Sequence, residues 1–263
     1  MERPPPALSF RGVSFIIQGA GPPPALSSNN KRQPSHRQGR GRPCSLFSMH
    51  FEPQFFSPFA EIEVTANNLP HWQQPGATYF ITFRLADSIP TGRLEEWRLE
   101  RKAWLTRNPE PWSQDVEIEY HRLFSQQIDT WLDAGHGDCP LRDPIFRKPL
   151  SDSLRHSDGE RYQLHSWVTM PNHVHVLVTL SKDDRLESEV GAWKSVSARR
   201  INRLLGRSGA LWQEDYFDRL VRDREHFANC VRYIRRNPEK ARLPAGEFHL
   251  FESDLALGFA PPG

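Results

Sequence analysis

Residues 161–180 have the sequence RYQLHSWVTMPNHVHVLVTL, and this stretch does most to decide the fold. Apolar and polar side chains alternate over residues 161–170, a pattern typical of a strand with one buried face. Pro171 and Asn172 break the alternation, and the valine-rich residues 173–180 predict a second strand. We therefore expect two strands of an antiparallel sheet that follow each other directly along the chain.

Further strand and helix patterns flank this pair on both sides. In chain order they predict a strand at 77–85, a helix at 185–205, a strand at 211–221 and a helix at 223–237. Pro75 and Gly76 form a turn before the first strand, and Gly206 ends the longer helix. Asp223 caps the last helix, which is expected to end before Pro238. This order predicts an α+β fold, a ferredoxin-like split βαβ arrangement with an antiparallel sheet and an added C-terminal helix.

The segment 91–160 separates the first strand from the second, and we expect it to be a helical insert. Thr91 is expected to cap a helix over 91–106, a second helical pattern covers 114–133, and a short helix follows around 143–155. With this insert, residues 49–243 are predicted to form one domain.

The two ends of the chain differ from this domain in composition. Residues 1–48 are rich in Pro, Gly, Ser and Arg and lack the apolar side chains that a core needs. We predict that this segment is a disordered basic extension. If translation starts at Met49, the segment is not part of the protein. The alternative is a basic arm that holds DNA. Residues 244–263 are expected to form a C-terminal tail.

Composition and charge narrow the class of protein. The chain has 263 residues and a net charge of +2, and no apolar run approaches the roughly 18 residues that a membrane span needs. Its three cysteines lie far apart without a CxxC pair, which excludes a disulfide framework and favours the cytoplasm. Residues 193–243 hold 13 basic and 6 acidic side chains, which indicates a nucleic acid partner unless they are simply a solvated face.

Two histidines on the second central strand form the first chemical signal. His173 and His175 are two residues apart, so both project from one face of the strand. The valines that alternate with them point into a core on the other side. Two neutral imidazoles side by side make half of a metal site, and the alternative is a pair of histidines on a solvated sheet surface.

The last helix supplies the second signal. Its buried stripe is predicted to be Phe227, Cys230, Val231 and Ile234. Asn229, Tyr233 and Asn237 follow at steps of four residues and share another face. Asn237 offers an oxygen to a cation such as Mg²⁺ or Mn²⁺, and Tyr233 offers a phenol one turn away. The alternative for Tyr233 is a residue at the boundary of the apolar stripe.

Four segments resemble one family of DNA-processing proteins. Residues 167–177 (WVTMPNHVHVL) resemble the HUH segment of single-tyrosine transposases. Three further segments resemble the REP-associated tyrosine transposases. In chain order they are 69–72 (LPHW) with 76–80 (GATYF), 216–223 (YFDRLVRD) and 233–241 (YIRRNPEKA). The resemblance covers residues 69–243 and leaves the segment 1–48 outside.

This resemblance implies an enzyme that cleaves and rejoins single-stranded DNA near REP-type hairpins. It implies Mg²⁺ or Mn²⁺ held by His173, His175 and Asn237, with Tyr233 as the nucleophile that forms a 5′-phosphotyrosine. The related insertion-sequence transposases are expected to carry Gln at the position of Asn237. A membrane and a small-molecule cofactor are not expected, and the protein would associate with the nucleoid when bound to DNA. A monomer and a dimer both stay open.

Basic side chains on and between the last two helices are the expected DNA contacts. They are Lys194, Arg199, Arg200, Arg203, Arg219, Arg222, Arg232 and Arg236. Arginines bind phosphates and can read guanine edges. Trp193 or Trp212 could stack on an unpaired base, the alternative being core packing.

Three alternatives compete with these assignments. Tyr216 lies among acidic and basic residues and is the main rival of Tyr233 as nucleophile. A domesticated hairpin-binding protein would keep the fold and the DNA contacts without transposition. A zinc hydrolase would use His173 and His175, but it would lack a third His, Cys or Glu nearby.

Overall fold

The fold is taken from a computed structural model that describes residues 52–57, 59–66, 70–109 and 114–262. The predicted basic extension at 1–48 and the alternative start at Met49 lie outside these residues. In the described part of the chain, no helix is both long enough and apolar enough to cross a membrane.

The strands are short at the ends of the chain and long in its centre. They are β1 (Glu63–Ala66), β2 (Pro70–Gln73), β3 (Thr78–Arg84), β4 (Tyr162–Thr169), β5 (His173–Leu180), β6 (Phe217–Leu220) and β7 (His249–Glu252). The strands β1 and β2 form a separate antiparallel hairpin. The other five form one antiparallel sheet in the order β6-β3-β5-β4-β7.

The helices divide into those of the insert and those that cover the sheet. They are α1 (Thr91–Arg107), α2 (Gln114–Tyr120), α3 (Gln126–Asp133), α4 (Pro144–Arg155), α5 (Leu186–Leu205), α6 (Arg224–Lys240) and α7 (Asp254–Phe259). A π-helical turn at His121–Ser125 joins α2 to α3, and a 3₁₀ turn at Pro140–Arg142 precedes α4.

The sheet confirms the predicted fold class. Without β7, the sheet order is β6-β3-β5-β4. The first and third strands along the chain, β3 and β5, lie in the centre, and the second and fourth, β4 and β6, lie at the edges, as in a ferredoxin-like unit. The central pair is in register, with Thr82 of β3 opposite His175 of β5. The segment 244–263, for which the sequence suggests only a tail, contributes β7 at the sheet edge and α7.

Two helical layers cover opposite faces of this sheet. Side chains from α4 and α5, such as Leu150 and Trp193, pack on the face that carries Val174 and Val176. Phe227 and other apolar residues of α6, with α7, pack on the opposite face. Because side chains alternate along β5, His173 and His175 point away from those valines and face α6.

The boundaries of four predicted elements differ from the structure. Pro90, and not Thr91, is the residue that precedes α1 as its N-cap. The helix predicted over 114–133 contains the π-helical turn, and the strand predicted over 211–221 is reduced to β6. The last helix does not end before Pro238 but continues to Lys240. A proline loses the N–H bond to the fourth preceding carbonyl and its ring crowds that carbonyl, but the turn persists here because the backbone N–H of Ala241 donates to the carbonyl of Asn237 over 3.0 Å.

The ends of α6 and α5 show why the remaining boundaries were predictable. The carboxylate of Asp223 accepts a hydrogen bond of 2.7 Å from the backbone N–H of His226, as an N-cap does. Gly206 follows α5 with a φ of 64°, a conformation that glycine adopts without steric cost.

The insert has a small core of its own. Buried side chains from α1 and α3 and from the turn between α2 and α3 form this core: Leu94, Trp97, Trp104, Phe124, Ile128 and Leu132. Phe217 of β6 packs against it, which brings α3 to the same side of the sheet edge as the functional residues described next.

Candidate active site

His173 and His175 meet at the beginning of β5, under α6. Both side chains are 1% exposed, and their ring centroids are 4.8 Å apart. The alternative of two histidines on a solvated sheet surface is therefore wrong, because α6 covers this face.

Hydrogen bonds fix which nitrogen of each imidazole carries the proton. The Nδ1 atom of His173 lies 2.8 Å from the Oδ1 atom of Asn172. An amide oxygen can only accept, so this Nδ1 is the donor and Nε2 keeps its lone pair. At His175, Asn237 donates from Nδ2 to Nε2 over 3.2 Å, so Nδ1 carries the proton and donates to the Thr82 hydroxyl over 2.7 Å. The Nε2 atom of His173 therefore keeps its lone pair, and that of His175 accepts from Asn237, a hydrogen bond that a bound cation would replace.

Burial keeps both imidazoles neutral. Removal from water, aided by the charge of Lys240, lowers the pKa of His173 to about 3. Burial, His173 and Lys240 hold the pKa of His175 well below its ordinary value. Neutral imidazole is the form that binds metals.

Asn237 completes a set of three donors. Its side chain is 2% exposed, and its Oδ1 atom is buried without a hydrogen-bond partner in the described part of the chain. An unpartnered buried oxygen, on an amide that contacts one of the two imidazoles, fits a divalent cation held together with the imidazole nitrogens. Across the described residues, no group of three or more His, Cys, Asp and Glu side chains could hold a metal, so the amide is essential to this fit.

Tyr233 lies one helical turn before Asn237 and faces the same place. Its ring is 5.2 Å from that of His175 and 5.6 Å from that of Phe80, edge-on in both cases. Burial first, and then the negative charge of Asp129 and Asp133, raise the pKa of the Tyr233 phenol well above its usual range. The phenol is therefore protonated at neutral pH and needs a proton acceptor to become a nucleophile.

Asp129 is the residue of this site that sequence reasoning missed. It comes from α3 of the insert, and its negative charge is one cause of the raised pKa of the Tyr233 phenol. Burial raises the pKa of Asp129, and the positive charges of Lys240 and Arg219 oppose that rise. No sequence pattern marked it, since it lies outside the four family-like segments and about a hundred residues before Tyr233.

Tyr216, the rival nucleophile, occupies the other layer of the molecule. Its side chain is 6% exposed and packs in the core between the sheet and α5. Its ring stacks on His71 with centroids 4.3 Å apart, while His71 is hydrogen-bonded to Asp218. Burial and the surrounding carboxylates raise the pKa of Tyr216 above its ordinary value. Because the sheet separates Tyr216 from the two histidines, the geometry favours Tyr233.

The predicted basic residues fall into two groups on opposite faces of the sheet. The group on α5 contains Lys194, Arg199, Arg200 and Arg203, and the group on or next to β6 and α6 contains Arg219, Arg222, Arg232 and Arg236. Some members have intramolecular partners: Lys194 donates to the carbonyl of Glu214 over 2.5 Å, and Arg232 to Asn229 over 2.7 Å. Only the second group shares a face with Tyr233.

The two tryptophans considered as base-stacking platforms are core residues. Trp193 is 1% exposed and Trp212 is 6% exposed, and both pack between the sheet and α5. Their indole N–H groups are used internally, since Trp193 donates to the Tyr162 hydroxyl and Trp212 to the Ser197 hydroxyl.

A cavity of about 270 Å³ opens beside His173. Its wall combines the end of α3 with the end of α6 and includes Asp133, Arg142, Asn172 and Arg242. The wall also holds Glu247, which pairs with Arg142 over 2.6 Å, so two acidic side chains accompany the two arginines of this lining.

Comparison with known proteins shows a likeness to one family of transposases over part of the chain. Residues 147–237 match the family model of the IS200-like transposases. The predicted resemblance is confirmed. His173, His175, Tyr233 and Asn237 all lie within the matched segment, whereas α1 to α3 precede it.

One curated relative and two solved structures were also compared. The REP-associated tyrosine transposase of Escherichia coli (strain K12) is 26% identical over 105 residues, which is 38% of this chain and 61% of that protein. The chain thus spans less than two thirds of that relative. A structure of a REP-associated tyrosine transposase bound to a REP hairpin is 17% identical, with a TM-score of 0.37 over 66% of this chain and 74% of that one. A putative transposase from Deinococcus radiodurans R1 is 17% identical, with a TM-score of 0.24 over 61% and 89%.

Proposed function

We propose that this chain is a metal-dependent transposase that cleaves and rejoins single-stranded DNA next to REP-type hairpins. The observation that carries the proposal is the convergence of two neutral, buried imidazoles, an unpartnered amide oxygen and a phenol between β5 and α6. The imidazoles lie on β5, and the amide and the phenol lie on α6, about 60 residues further along the chain.

His173, His175 and Asn237 would hold the metal through Nε2, Nε2 and Oδ1. Mg²⁺ or Mn²⁺ bound there would polarise a phosphodiester and stabilise the charge that develops during its cleavage. Thr82 and Asn172 orient the imidazoles by fixing the proton on each Nδ1 atom. Burial under α6 excludes water and keeps the imidazoles unprotonated.

Tyr233 would attack the phosphorus of the scissile phosphodiester. The bond from phosphorus to the 3′ oxygen breaks, leaving a free 3′-OH and a 5′-phosphotyrosine. Because the phosphate ester is retained in the covalent intermediate, the strand can be rejoined without ATP. The rigid position of Tyr233 on α6, against Phe80 and His175, orients its oxygen for this attack.

DNA is the proposed partner, and the basic side chains next to Tyr233 support this. Arg219, Arg222, Arg232 and Arg236 can contact phosphates on either side of a cleavage point. The choice of a REP-type hairpin rests on the likeness to REP-associated transposases. We place the protein in the cytoplasm at the nucleoid, as a monomer or a dimer.

A covalent adduct gel tests this proposal. The full chain is incubated with a panel of labelled imperfect-palindrome DNA hairpins carrying single-stranded flanks, with Mg²⁺ or Mn²⁺, and separated under denaturing conditions. The parent and Tyr216→Phe should give a protein–DNA band with at least one hairpin. Tyr233→Phe, which keeps the ring and its packing, should bind the hairpin and give no band.

Two results would contradict it in different ways. A band from Tyr233→Phe but not from Tyr216→Phe would move the nucleophile to the other face of the sheet. Tight hairpin binding without a band from any variant would favour the domesticated, binding-only protein.

A further inference from the structure

The end of β3 carries a buried arginine that the proposed function does not use. Arg84 is 5% exposed and stands opposite His173 in the register of β3 and β5. Residues directly opposite each other in an antiparallel pair project to the same face of the sheet. Thr82, two residues earlier on β3, marks this face, because its hydroxyl contacts the imidazole of His175. The side chain of Arg84 therefore begins beside that of His173, on the side of the sheet that faces α6.

The guanidinium of Arg84 has neutral partners, and they occupy one of its three nitrogens. Its Nη1 atom donates to the Ser88 hydroxyl over 3.0 Å and to the carbonyl of Leu85 over 3.4 Å. Its Nη2 and Nε atoms donate to no group in the described part of the chain, where no carboxylate pairs with Arg84 either. An arginine has five N–H donors, so the edge formed by Nη2 and Nε leaves three of them for another partner.

The charge that acts on Arg84 has the same sign as its own. Burial first, and then the positive charge of Arg98 on α1 of the insert, lower the pKa of Arg84 to about 10. The guanidinium therefore stays charged at neutral pH, inside the protein and without an acidic neighbour among the described residues. A buried charge costs folding free energy unless a partner compensates it. Such a group fits an anion that binds from outside the chain.

Arg147 shows how a buried arginine is satisfied inside this protein. It is 6% exposed, almost the same fraction as Arg84. Its two terminal nitrogens donate to three backbone carbonyls over 2.9, 2.6 and 2.6 Å, and the charges of Asp143 and Glu247 stabilise its cation. Arg84 has a single backbone acceptor, at 3.4 Å, and no such acids. A structural network of this kind therefore does not explain why Arg84 is buried.

We propose that Arg84 is a phosphate-binding residue of the active site, which holds a phosphodiester of the DNA strand next to His173 through Nη2 and Nε. The inference rests on the proposed function and deepens it, and Arg84 lies outside the matched residues 147–237. Nη2 and Nε form a planar fork that matches two oxygens of one phosphate. Arg98, exposed on α1, would attract the strand towards the same place.

The turn that follows β3 holds the guanidinium in a fixed orientation. The Ser88 hydroxyl, which accepts from Nη1 of Arg84, itself donates to the carbonyl of Leu85 over 2.7 Å. The backbone N–H of Leu85 donates to the carbonyl of Asn172 over 2.8 Å. Because the side chain of Asn172 also orients His173, one residue links the arginine to the imidazole pair. A phosphate bound by Arg84 would thus have a defined position relative to that pair.

The competing interpretation is that Arg84 only anchors the turn at Ser88. The two roles predict different stabilities of the protein without DNA. If Arg84 waits for a phosphate, Arg84→Gln removes an uncompensated charge, and the free energy of unfolding in urea should stay the same or increase. If Arg84 is an anchor, the change should destabilise the protein. Arg147→Gln is the matched control and should destabilise it, because that change removes donors from buried carbonyls.

The deciding experiment asks whether one phosphate of the DNA depends on Arg84. The full chain carries Tyr233→Phe, so that binding is measured without cleavage. Labelled hairpins carry a single methylphosphonate, in which a methyl group replaces a charged phosphate oxygen, at each position of the single-stranded flank in turn. Affinity is measured for every hairpin with Arg84 present and with Arg84→Gln.

We expect one methylphosphonate position whose effect disappears in the variant. With Arg84 present, this substitution should weaken binding about 10–100-fold, as expected for two charge-assisted hydrogen bonds. Arg84→Gln should weaken binding of the unmodified hairpin by the same factor and lose nothing more at that position. Arg84→Lys keeps the charge without the fork, so it should recover part of the affinity. Arg236→Gln is the control and should keep the full loss at this phosphate.

The contrary outcomes are equally specific. Additive losses at every phosphate, in Arg84→Gln or in Arg84→Lys if the former does not fold, would overturn the inference. Unchanged hairpin affinity in a folded variant would overturn it as well. If the parent binds hairpins but forms no adduct, the proposed cleavage fails while the methylphosphonate comparison still decides the role of Arg84. If the parent binds no hairpin and no single-stranded DNA, both proposals fail.

Discussion

Replacing Thr82 by valine tests whether the imidazole pair is preorganised as a ligand set. The side chain keeps its size and its preference for a strand, but it loses the hydroxyl that accepts the proton of His175 Nδ1 over 2.7 Å. Both groups are buried. The N–H of His175 is then left without a partner, at a cost of about 1–3 kcal/mol in the free energy of unfolding.

The same change should weaken metal binding. Without the acceptor, the tautomer of His175 with its proton on Nε2 gains in population, and that form cannot donate a lone pair to a cation. Loss of such a supporting contact lowers metal affinity by about 10–100-fold in other proteins. We expect a decrease of this size for Mn²⁺, measured by calorimetry or by the electron paramagnetic resonance of free Mn²⁺.

Thr78 provides the matched control on the same strand. Its hydroxyl is buried and hydrogen-bonded to that of Thr179 over 2.7 Å, away from the site. Thr78→Val should therefore destabilise the fold without changing Mn²⁺ affinity. Equal Mn²⁺ affinity of the parent and Thr82→Val would refute the assignment of His175 Nε2 as a ligand.

Three further predictions concern acid stability, the metal and the DNA. Burial holds the pKa of His165 and of His173 at about 3, against 6.5 in the unfolded chain, so the stability they provide is complete above pH 6.5 and falls below it. The free energy of unfolding in urea should decrease by about 1 kcal/mol per histidine between pH 6.5 and 5.5, and by about 1.4 kcal/mol per histidine over the next pH unit; a flat profile would contradict this. His173→Ala should abolish metal-dependent adduct formation but keep most hairpin affinity, which a labelled-hairpin titration measures; adduct formed at the parent rate would remove His173 from the ligand set. Hairpin binding should weaken steeply with salt, and Arg236→Glu should reduce affinity and the salt slope more than Arg203→Glu does, because Arg236 shares the sheet face of Tyr233; equal effects would indicate that the DNA reaches both faces.

The parts of the fold that the sequence predicts are those with a strong local pattern. The strand β5 matches its predicted bounds because alternation and the Pro171-Asn172 break mark both of its limits. The pairing of Tyr233 with Asn237 on α6 follows from their spacing of four residues. That Pro238 lies inside α6 was not predictable in this way, because tertiary packing decides whether a helix survives a missing hydrogen bond.

The parts that the sequence does not predict depend on contacts between distant segments. The division of the basic residues by the sheet becomes visible only when α5 and α6 are placed on opposite faces. The two carboxylates of α3 are ordinary polar residues of an amphipathic helix until the insert places α3 beside the end of α6, where Lys240 pairs with Asp133 over 2.9 Å. Neither the spacing nor the composition of residues 114–133 contains that information.

The most direct test of the central claim is to identify the amino acid that is joined to DNA. The adduct formed by the parent chain with Mg²⁺ or Mn²⁺ is digested with a nuclease and a protease, and the modified peptide is sequenced by mass spectrometry. We predict a nucleotide linked through a 5′-phosphate to the hydroxyl of Tyr233, within the peptide that contains Asn237. A nucleotide on Tyr216 or on any other residue would contradict the proposed active site.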